Sequence, residues 1–298
     1  MLLRGALALL VAACFLQPSL SNGSELGQRL AAVAYRILAS NTDLCGRDTH
    51  AVLGIEASFG SNGRTDEPDA KDYLIVLSAT RGAPAAKGGI EAGDRITEVN
   101  GEALPSGPDG LRLLLHWLND HQDALLRLGV ERGGATEYRV VHATPACSYD
   151  VVLADDGRMD AVTQEQRVTL TSGMVDWLAN DDDLATVVGH EIAHIAAGHT
   201  RSELGLNDDE IEAEADYIGV YLAARAGYNI LGAADLLKRI VASRAMEGGE
   251  ADPRSIALRL QAIGKAVDDI RRAGTAAALP QALFQVLHSR QRPSGSLG

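Results

Sequence analysis

The residues with the clearest chemistry are two histidines and a glutamate in the pattern His-Glu-x-x-His, at His190, Glu191 and His194. They lie in an apolar run with helical spacing, where residues four apart share one face of the helix. Two imidazoles on one face can bind a single zinc ion, and Glu191 beside them is a candidate general base. The alternative is a buried helix that carries two histidines by chance.

A second pair of chemical residues, Glu212 and Asp216, is also spaced four apart in a stretch with helical character. A catalytic zinc site uses three protein ligands, and two histidines with one glutamate are a common set. We therefore predict Glu212 as the third ligand and Asp216 as the acceptor for the free ring N–H of a ligand histidine. The alternative is an acidic helix face turned to solvent.

These motifs together resemble the zinc metallopeptidases that include HtpX and the CAAX prenyl endopeptidases. The resemblance covers roughly residues 147–263 and rests on residues 182–194, Gly198-His199, 212–216 and 225–228. It implies a mainly helical zincin-type domain with a small β-sheet. It also implies one zinc ion per chain on His190, His194 and Glu212, with Glu191 as the base.

One part of the chain departs from that family. The family commonly carries a His-Pro pair followed by an arginine, and the histidine is placed to stabilise an oxyanion. Here the corresponding residues are Asp252-Pro253 and Arg259, with a spacing one residue longer. An aspartate cannot stabilise an oxyanion as a cation does, so the sequence does not identify that group. His199 matches a family position and is expected to be structural rather than a ligand.

Residues 50–145 have a different character, because short strand-like runs alternate there with glycine-rich turns. The run from Gly82 to Gly101 resembles the bacterial PDZ domain, and Asn100-Gly101 predicts a tight hairpin turn. The resemblance implies a β-rich domain that binds an extended peptide as an added strand, with residues 111–118 as the helix beside the groove. The alternative is a PDZ fold that serves as a spacer. The predicted fold class is therefore α+β.

The length of 298 residues suits two modest domains, one inserted into the other. We predict an N-terminal helix of the peptidase domain in residues 22–49, the PDZ-like domain in 50–145, the rest of the peptidase domain in 146–279 and a tail of little pattern in 280–298. Cys45 and Cys147 flank the insertion, whose ends should lie close together. In an oxidising compartment they should form a disulfide, and two free buried thiols are the alternative.

Residues 1–21 are typical of an export signal, with Arg4 ahead of an apolar stretch that is too short to span a bilayer. The run from Val11 to Cys14 also resembles a lipobox, which would make Cys14 a lipidated N-terminus. We therefore expect a periplasmic or secreted protein, either released by cleavage or anchored through Cys14. No later segment reaches the ~18 consecutive apolar residues of a span. A membrane-embedded active site, as in HtpX, is not implied.

The formal net charge of −13 argues against nucleic acid as a partner, because phosphate binding needs basic patches. Two functions remain. The first is a zinc endopeptidase that acts on extracytoplasmic proteins in quality control, with substrate capture by the PDZ-like domain. The second is a zinc-stabilised peptide-binding or chaperone protein with little proteolysis. Glu191 favours the first, because a structural zinc site needs no base, and Asp252-Pro253 favours the second.

Overall fold

The computed structural model describes residues 24–290, apart from residues 47, 61–72, 121–122, 201–204, 247, 250–251 and 274–278. The expectations for the export signal, for Cys14 and for the chain beyond residue 290 lie outside the described residues. The helices are numbered in chain order: α1 (Glu25–Ser40), α2 (Pro84–Lys87), α3 (Pro108–Asp120), α4 (Ser172–Trp177), α5 (Asp181–Ala196), α6 (Asp208–Arg225), α7 (Ala233–Met246), α8 (Pro253–Ala273) and α9 (Gln281–Arg290).

The strands are numbered in the same way: β1 (Thr49–Val52), β2 (Ile55–Gly60), β3 (Tyr73–Ala79), β4 (Arg95–Val99), β5 (Glu102–Ala103), β6 (Leu125–Arg132), β7 (Ala135–His142), β8 (Thr144–Cys147), β9 (Asp150–Ala154), β10 (Ala161–Gln164) and β11 (Arg167–Thr171). This mixture confirms the predicted α+β class. Among the residues described, none of the helices combines the length and the apolar character that crossing a membrane requires.

Two apolar cores divide the described chain into two units. The helical unit consists of α1, α4 to α9 and strands β9 to β11, which surround one core. The sheet unit consists of β1 to β7 with α2 and α3, which surround the other. In the sheet unit the strand order is β2-β3-β4-β6-β7, and β5 pairs with β4. Strand β2 therefore lies at the edge of this sheet.

The predicted turn at Asn100-Gly101 is present and connects β4 to β5. Both residues have positive φ, 51° and 90°, as a two-residue turn between paired strands requires. The predicted helix at residues 111–118 is also confirmed, because α3 includes it and buries Leu111, Leu114 and Leu118 against the sheet. The sequence pattern thus identifies this turn and this helix of the sheet unit.

A two-stranded neck connects the units. Strands β1 and β8 pair antiparallel, with Thr49 opposite Cys147. A disulfide joins Cys45 to Cys147 across a Cα–Cα distance of 5.6 Å. The two ends of the sheet unit are therefore held together beside α1.

The helical unit contains a three-stranded sheet in the order β10-β11-β9. Strands β9 and β11 are parallel, whereas β10 runs antiparallel to β11 at the edge of the sheet. Helix α5 begins at a strong cap, because the side chain of Asn180 accepts a hydrogen bond from the N–H of Asp183. Three aspartates in its first turn complement the helix dipole.

Helices α5 and α6 approach closely where Gly189 meets Gly219. A Cβ on Gly189 would lie 2.6 Å from the carbonyl oxygen of Gly219, and one on Gly219 would lie 2.7 Å from the nitrogen of His190. Any larger residue at either position would force the helices apart. This contact brings the His-Glu-x-x-His motif of α5 next to the acidic pair of α6.

Helix α7 begins at Ala233, after a turn in which the Asn229 side chain accepts a hydrogen bond from the N–H of Leu231. One element differs from the sequence predictions. The expectation of little pattern after about residue 280 is wrong, since α9 occupies Gln281–Arg290. Leu283 and Leu287 pack on the helical core one turn apart, which explains why this helix forms.

Candidate metal centre and active site

The three predicted ligands lie together. His190 and His194 are one turn apart on α5, and Glu212 faces them from α6. The two Nε2 atoms are 3.1 Å apart, and the Glu212 carboxylate oxygens lie 3.4 Å from His190 Nε2 and 3.5 Å from His194 Nε2. Tetrahedral zinc with ligands at about 2.0–2.2 Å requires ligand separations of about 3.3–3.6 Å. The residues present therefore fit a zinc ion.

Electrostatics around these ligands also suit a cation. Burial lowers the pKa of His190, but the carboxylates of Asp216 and Glu212 outweigh this effect and raise it to about 10. Burial and the charge on His190 lower the pKa of His194 to about 3. Burial raises the pKa of Glu212, yet His190 and Arg259 lower it to about 2. The Glu212 carboxylate is therefore ionised, and His190 carries the positive charge of the cluster. A metal cation would compete with the proton on His190.

Asp216 lies beside the first histidine, for which the sequence predicts it as a hydrogen-bond acceptor. Its Oδ1 is 2.9 Å from His190 Nδ1, although the contact deviates from regular hydrogen-bond direction. Arg259 of α8 donates to both Asp216 oxygens, at 2.6 and 3.0 Å, and its Nη1 lies 3.0 Å from Glu212 Oε2. Arg259 therefore contacts both Glu212, a predicted ligand, and Asp216, the neighbour of a predicted ligand histidine, a role that the sequence did not reveal.

His199 lies behind the second histidine and is not one of the three predicted ligands. Its Nδ1 is 3.1 Å from His194 Nδ1, and its Nε2 is 2.9 Å from Glu214 Oε2. Because a carboxylate only accepts, His199 donates from Nε2, and a neutral His199 ring would accept at Nδ1. His194 then donates from Nδ1 and keeps the lone pair of Nε2 for a metal. The structural role expected for His199 thus takes the form of tautomer control.

Glu214 connects this chain of contacts to the C-terminal helix. Arg290 of α9 donates to Glu214 Oε2 at 2.7 Å. Burial raises the pKa of Glu214, but the hydrogen bonds from His199 and Arg290 lower it below its ordinary value. Glu214 lies between Glu212 and Asp216 in the sequence motif, which is the one signal that could have identified it.

Glu191 is buried, with 9% of its surface exposed, and points toward the edge strand of the three-stranded sheet. The Thr163 hydroxyl of β10 donates to Glu191 Oε2 at 2.6 Å and lies 3.1 Å from the Glu191 carbonyl oxygen. No sequence motif marks Thr163. The predicted base is therefore held by the strand that borders the site.

A cleft of about 710 Å³ opens over these residues. Strand β10, apolar side chains of α7 and the start of α8 line it. Asp252 also lines it, and its Oδ1 accepts a hydrogen bond from the N–H of Arg254 at 2.9 Å. This contact is typical of a helix cap, so Asp252 begins α8 and supplies no cation to the cleft.

Comparisons with known families agree with this geometry. A model described as Peptidase family M48 matches residues 138–209, which include His190, Glu191 and His194 and end before Glu212. A PDZ domain model matches residues 75–126. The chain carries an M48-family metallopeptidase domain and a PDZ domain. The M48 match lies mainly in the helical unit, and the PDZ match lies in the sheet unit.

Solved structures give similarities of limited extent. One is the HtrA3 PDZ domain bound to a phage-derived ligand, with 22% identity over 33% of this chain and 88% of that chain, at a TM-score of 0.27. Another is the HtrA-type protease AlgW with a decapeptide, with 18% identity over 32% of this chain and 29% of that chain, also at 0.27. A comparison with curated proteins finds no significant match.

The PDZ domain has a groove between the edge strand β2 and helix α3. A small apolar pocket of about 60 Å³ lies here, lined from the PDZ side by residues such as Leu53, Ile55 and Leu114. Helix α1 of the helical unit contributes Tyr35 and Leu38. Gly54, in the loop just before β2, has a φ of 70°, and a Cβ there would overlap that of Ala83. The loop backbone therefore lies too close to Ala83 for any residue larger than glycine.

Proposed function

We propose that this protein is a zinc-dependent endopeptidase that cleaves extracytoplasmic proteins and captures them through its PDZ domain. The observation that carries the proposal is the convergence of His190, His194 and Glu212 at separations that fit one zinc ion, with Glu191 beside them. Zinc bound there would polarise the scissile carbonyl and acidify a water molecule. We assign one ion to each chain.

The remaining chemistry belongs to the side chains of the cleft. Glu191 accepts the proton of the attacking water and passes it to the leaving amine. Asp216 and Arg259 orient His190 and Glu212, while His199 orients His194. Strand β10 at the edge of its sheet can pair with an extended substrate and align its scissile bond over the ligands.

The PDZ domain supports capture of a polypeptide end. Strand β2 is at the edge of its sheet and can accept an added strand, and the apolar pocket of about 60 Å³ has room for a small apolar side chain. A tail held there would raise the local concentration of the rest of the substrate at the cleft. Damaged or misfolded proteins with accessible ends are the substrates that this arrangement suits.

An oxidising compartment fits the disulfide between Cys45 and Cys147. We therefore propose a periplasmic or secreted location, with export directed by residues 1–21 and either cleavage after that segment or a lipid anchor at Cys14. The peptidase would act on protein or peptide substrates. Its net charge of −13 does not suit nucleic acid.

The second candidate is a zinc-stabilised peptide-binding or chaperone protein with little proteolysis. The observation in its favour is Asp252, which caps α8 at the place where the related family carries a histidine for the oxyanion.

A proteolysis assay separates the two candidates. Purified protein is incubated with casein, with and without a zinc chelator, and zinc is then restored. The peptidase proposal predicts cleavage that the chelator abolishes and zinc restores. Protein that binds one zinc ion and an unfolded polypeptide but leaves casein intact would support the chaperone candidate instead.

A further inference from the structure

The contact between Thr163 and Glu191 links two parts of the active site that are 28 residues apart in the chain. Thr163 lies in β10, the edge strand along the cleft, and Glu191 lies in α5. The hydroxyl has one proton and faces two acceptors of the same residue, Oε2 at 2.6 Å and the carbonyl oxygen at 3.1 Å. The shorter contact, to the carboxylate oxygen, is the stronger one.

This contact restrains the part of Glu191 that carries the chemistry. The terminal torsion of a glutamate side chain is broad and roughly two-fold, so packing alone fixes it poorly. A hydrogen bond to Oε2 selects one orientation and leaves Oε1 for the proton of a water molecule. General base catalysis depends on this alignment, because a misplacement of about 1 Å can cost about a hundredfold in rate.

The same strand that holds Glu191 also borders the substrate cleft. Ala161, Val162 and Thr163 all line it, while the other edge of β10 pairs with β11. Side chains alternate along a strand, so Thr163 can point to the helix while the strand backbone remains at the cleft. A substrate that pairs with β10 would therefore meet the base in a register that the strand itself sets.

We propose that Thr163 is a positioning residue whose hydroxyl holds the Glu191 carboxylate in the orientation that accepts the proton of water. This inference rests on the proposed function, in which Glu191 is the general base. The competing role for Thr163 is structural, because its contact with the Glu191 carbonyl oxygen could simply attach β10 to α5.

Three variants of the full-length zinc enzyme separate these roles. Thr163→Val removes the hydroxyl and keeps the branched shape, whereas Thr163→Ser keeps the hydroxyl. Thr169→Val is the matched control, because it removes a threonine hydroxyl from the adjacent strand β11, where Thr169 lies opposite Val162. Each variant is measured for zinc content, thermal stability, and kcat and KM on a short peptide.

A positioning role predicts that Thr163→Val lowers kcat about 10- to 100-fold with KM and zinc content unchanged. Thr163→Ser should stay within a few-fold of the parent, and Thr169→Val should match it. An unchanged kcat in Thr163→Val would overturn the proposal. So would a loss confined to KM, to zinc content or to stability, because those results indicate a role in the strand or the fold.

A structural measurement tests the same contact without turnover. Crystal structures of the parent, Thr163→Val and Thr163→Ser, each with zinc, should show the Glu191 carboxylate in one orientation in the parent and the serine variant and rotated in the valine variant. An unmoved carboxylate in Thr163→Val would contradict the proposal. If the parent cleaves no substrate, the proposed function fails, while these structures still decide whether Thr163 orients Glu191.

Discussion

Asp94 in the PDZ domain and Asp216 in the peptidase domain are both buried, and each receives two hydrogen bonds from one arginine. Arg132 donates to Asp94 at 2.6 and 2.7 Å, and Arg259 donates to Asp216 at 2.6 and 3.0 Å. In both cases burial raises the pKa of the aspartate, but its partners lower it below the ordinary value. A buried aspartate–arginine pair of the same kind therefore occurs in both halves of the molecule.

The surroundings of the two pairs differ. Asp94 also accepts a hydrogen bond from the N–H of Glu91 at 2.9 Å, so it stabilises the turn between Glu91 and Asp94 within the PDZ domain. Asp216 instead contacts His190, while Arg259 extends to Glu212. A buried Asp–Arg pair alone is therefore weak evidence of a functional site. It becomes informative when its remaining contacts reach candidate ligands, which only Asp216 does of these two.

The largest effect should come from the residue at the centre of the peptidase half. Glu191→Gln should retain zinc and lose about 10²- to 10⁴-fold in kcat, because an amide cannot accept the proton of water. Peptide hydrolysis and metal analysis measure both quantities. Turnover at the parental rate would mean that Glu191 is not the base.

Asp216→Asn should weaken zinc binding about 10- to 100-fold, because His190 loses the carboxylate beside its Nδ1 and Arg259 loses one of its two counter-charges. Competition with a metal-binding dye gives the affinity. The matched control is Asp94→Asn, which should bind zinc as the parent does. Equal zinc affinity in both folded variants would remove the distinction between the two pairs.

The PDZ half should affect the choice of substrate rather than the chemistry. Two protein substrates that differ only in the last residue, valine or aspartate, should differ on the order of tenfold in kcat/KM, because the pocket is small and apolar. Deleting residues 50–145 with a short linker should abolish this preference while cleavage of a short peptide survives within a few-fold. Equal losses on all substrates would indicate that the PDZ domain supports only the fold.

The smallest effect concerns stability. Asp94→Asn should lower the free energy of unfolding at neutral pH by about 1 kcal/mol, a modest value because Arg132 is about one-third exposed. The folded-state pKa of Asp94 is lowered, so this contribution is complete above the unfolded value of about 3.9 and is lost as the pH falls through the folded value. Urea unfolding of both proteins should therefore converge in acid. A constant difference down to low pH would contradict the assignment.

How much of the site the sequence reveals depends on the distance between the residues in the chain. His190 and His194 are one helical turn apart, and so are Glu212 and Asp216, so spacing alone places each pair on one face. Thr163 and Arg290 reach the site from other elements, Arg290 across 76 residues to Glu214. Only the packing of β10 and α9 brings them there, and no local pattern encodes it. The spacing of Leu283 and Leu287 is compatible with helix α9, but the sequence around them contains few other helix signals.

The position of bound zinc tests the proposed metal centre most directly. Anomalous diffraction at the zinc edge from crystals of the purified protein, with His194→Ala as the comparison, locates the ion. We predict one site per chain, within about 2.0–2.2 Å of His190 Nε2, His194 Nε2 and a Glu212 oxygen, that disappears in His194→Ala. A zinc peak held by other residues, or one that His194→Ala leaves unchanged, would contradict a metal centre at His190, His194 and Glu212.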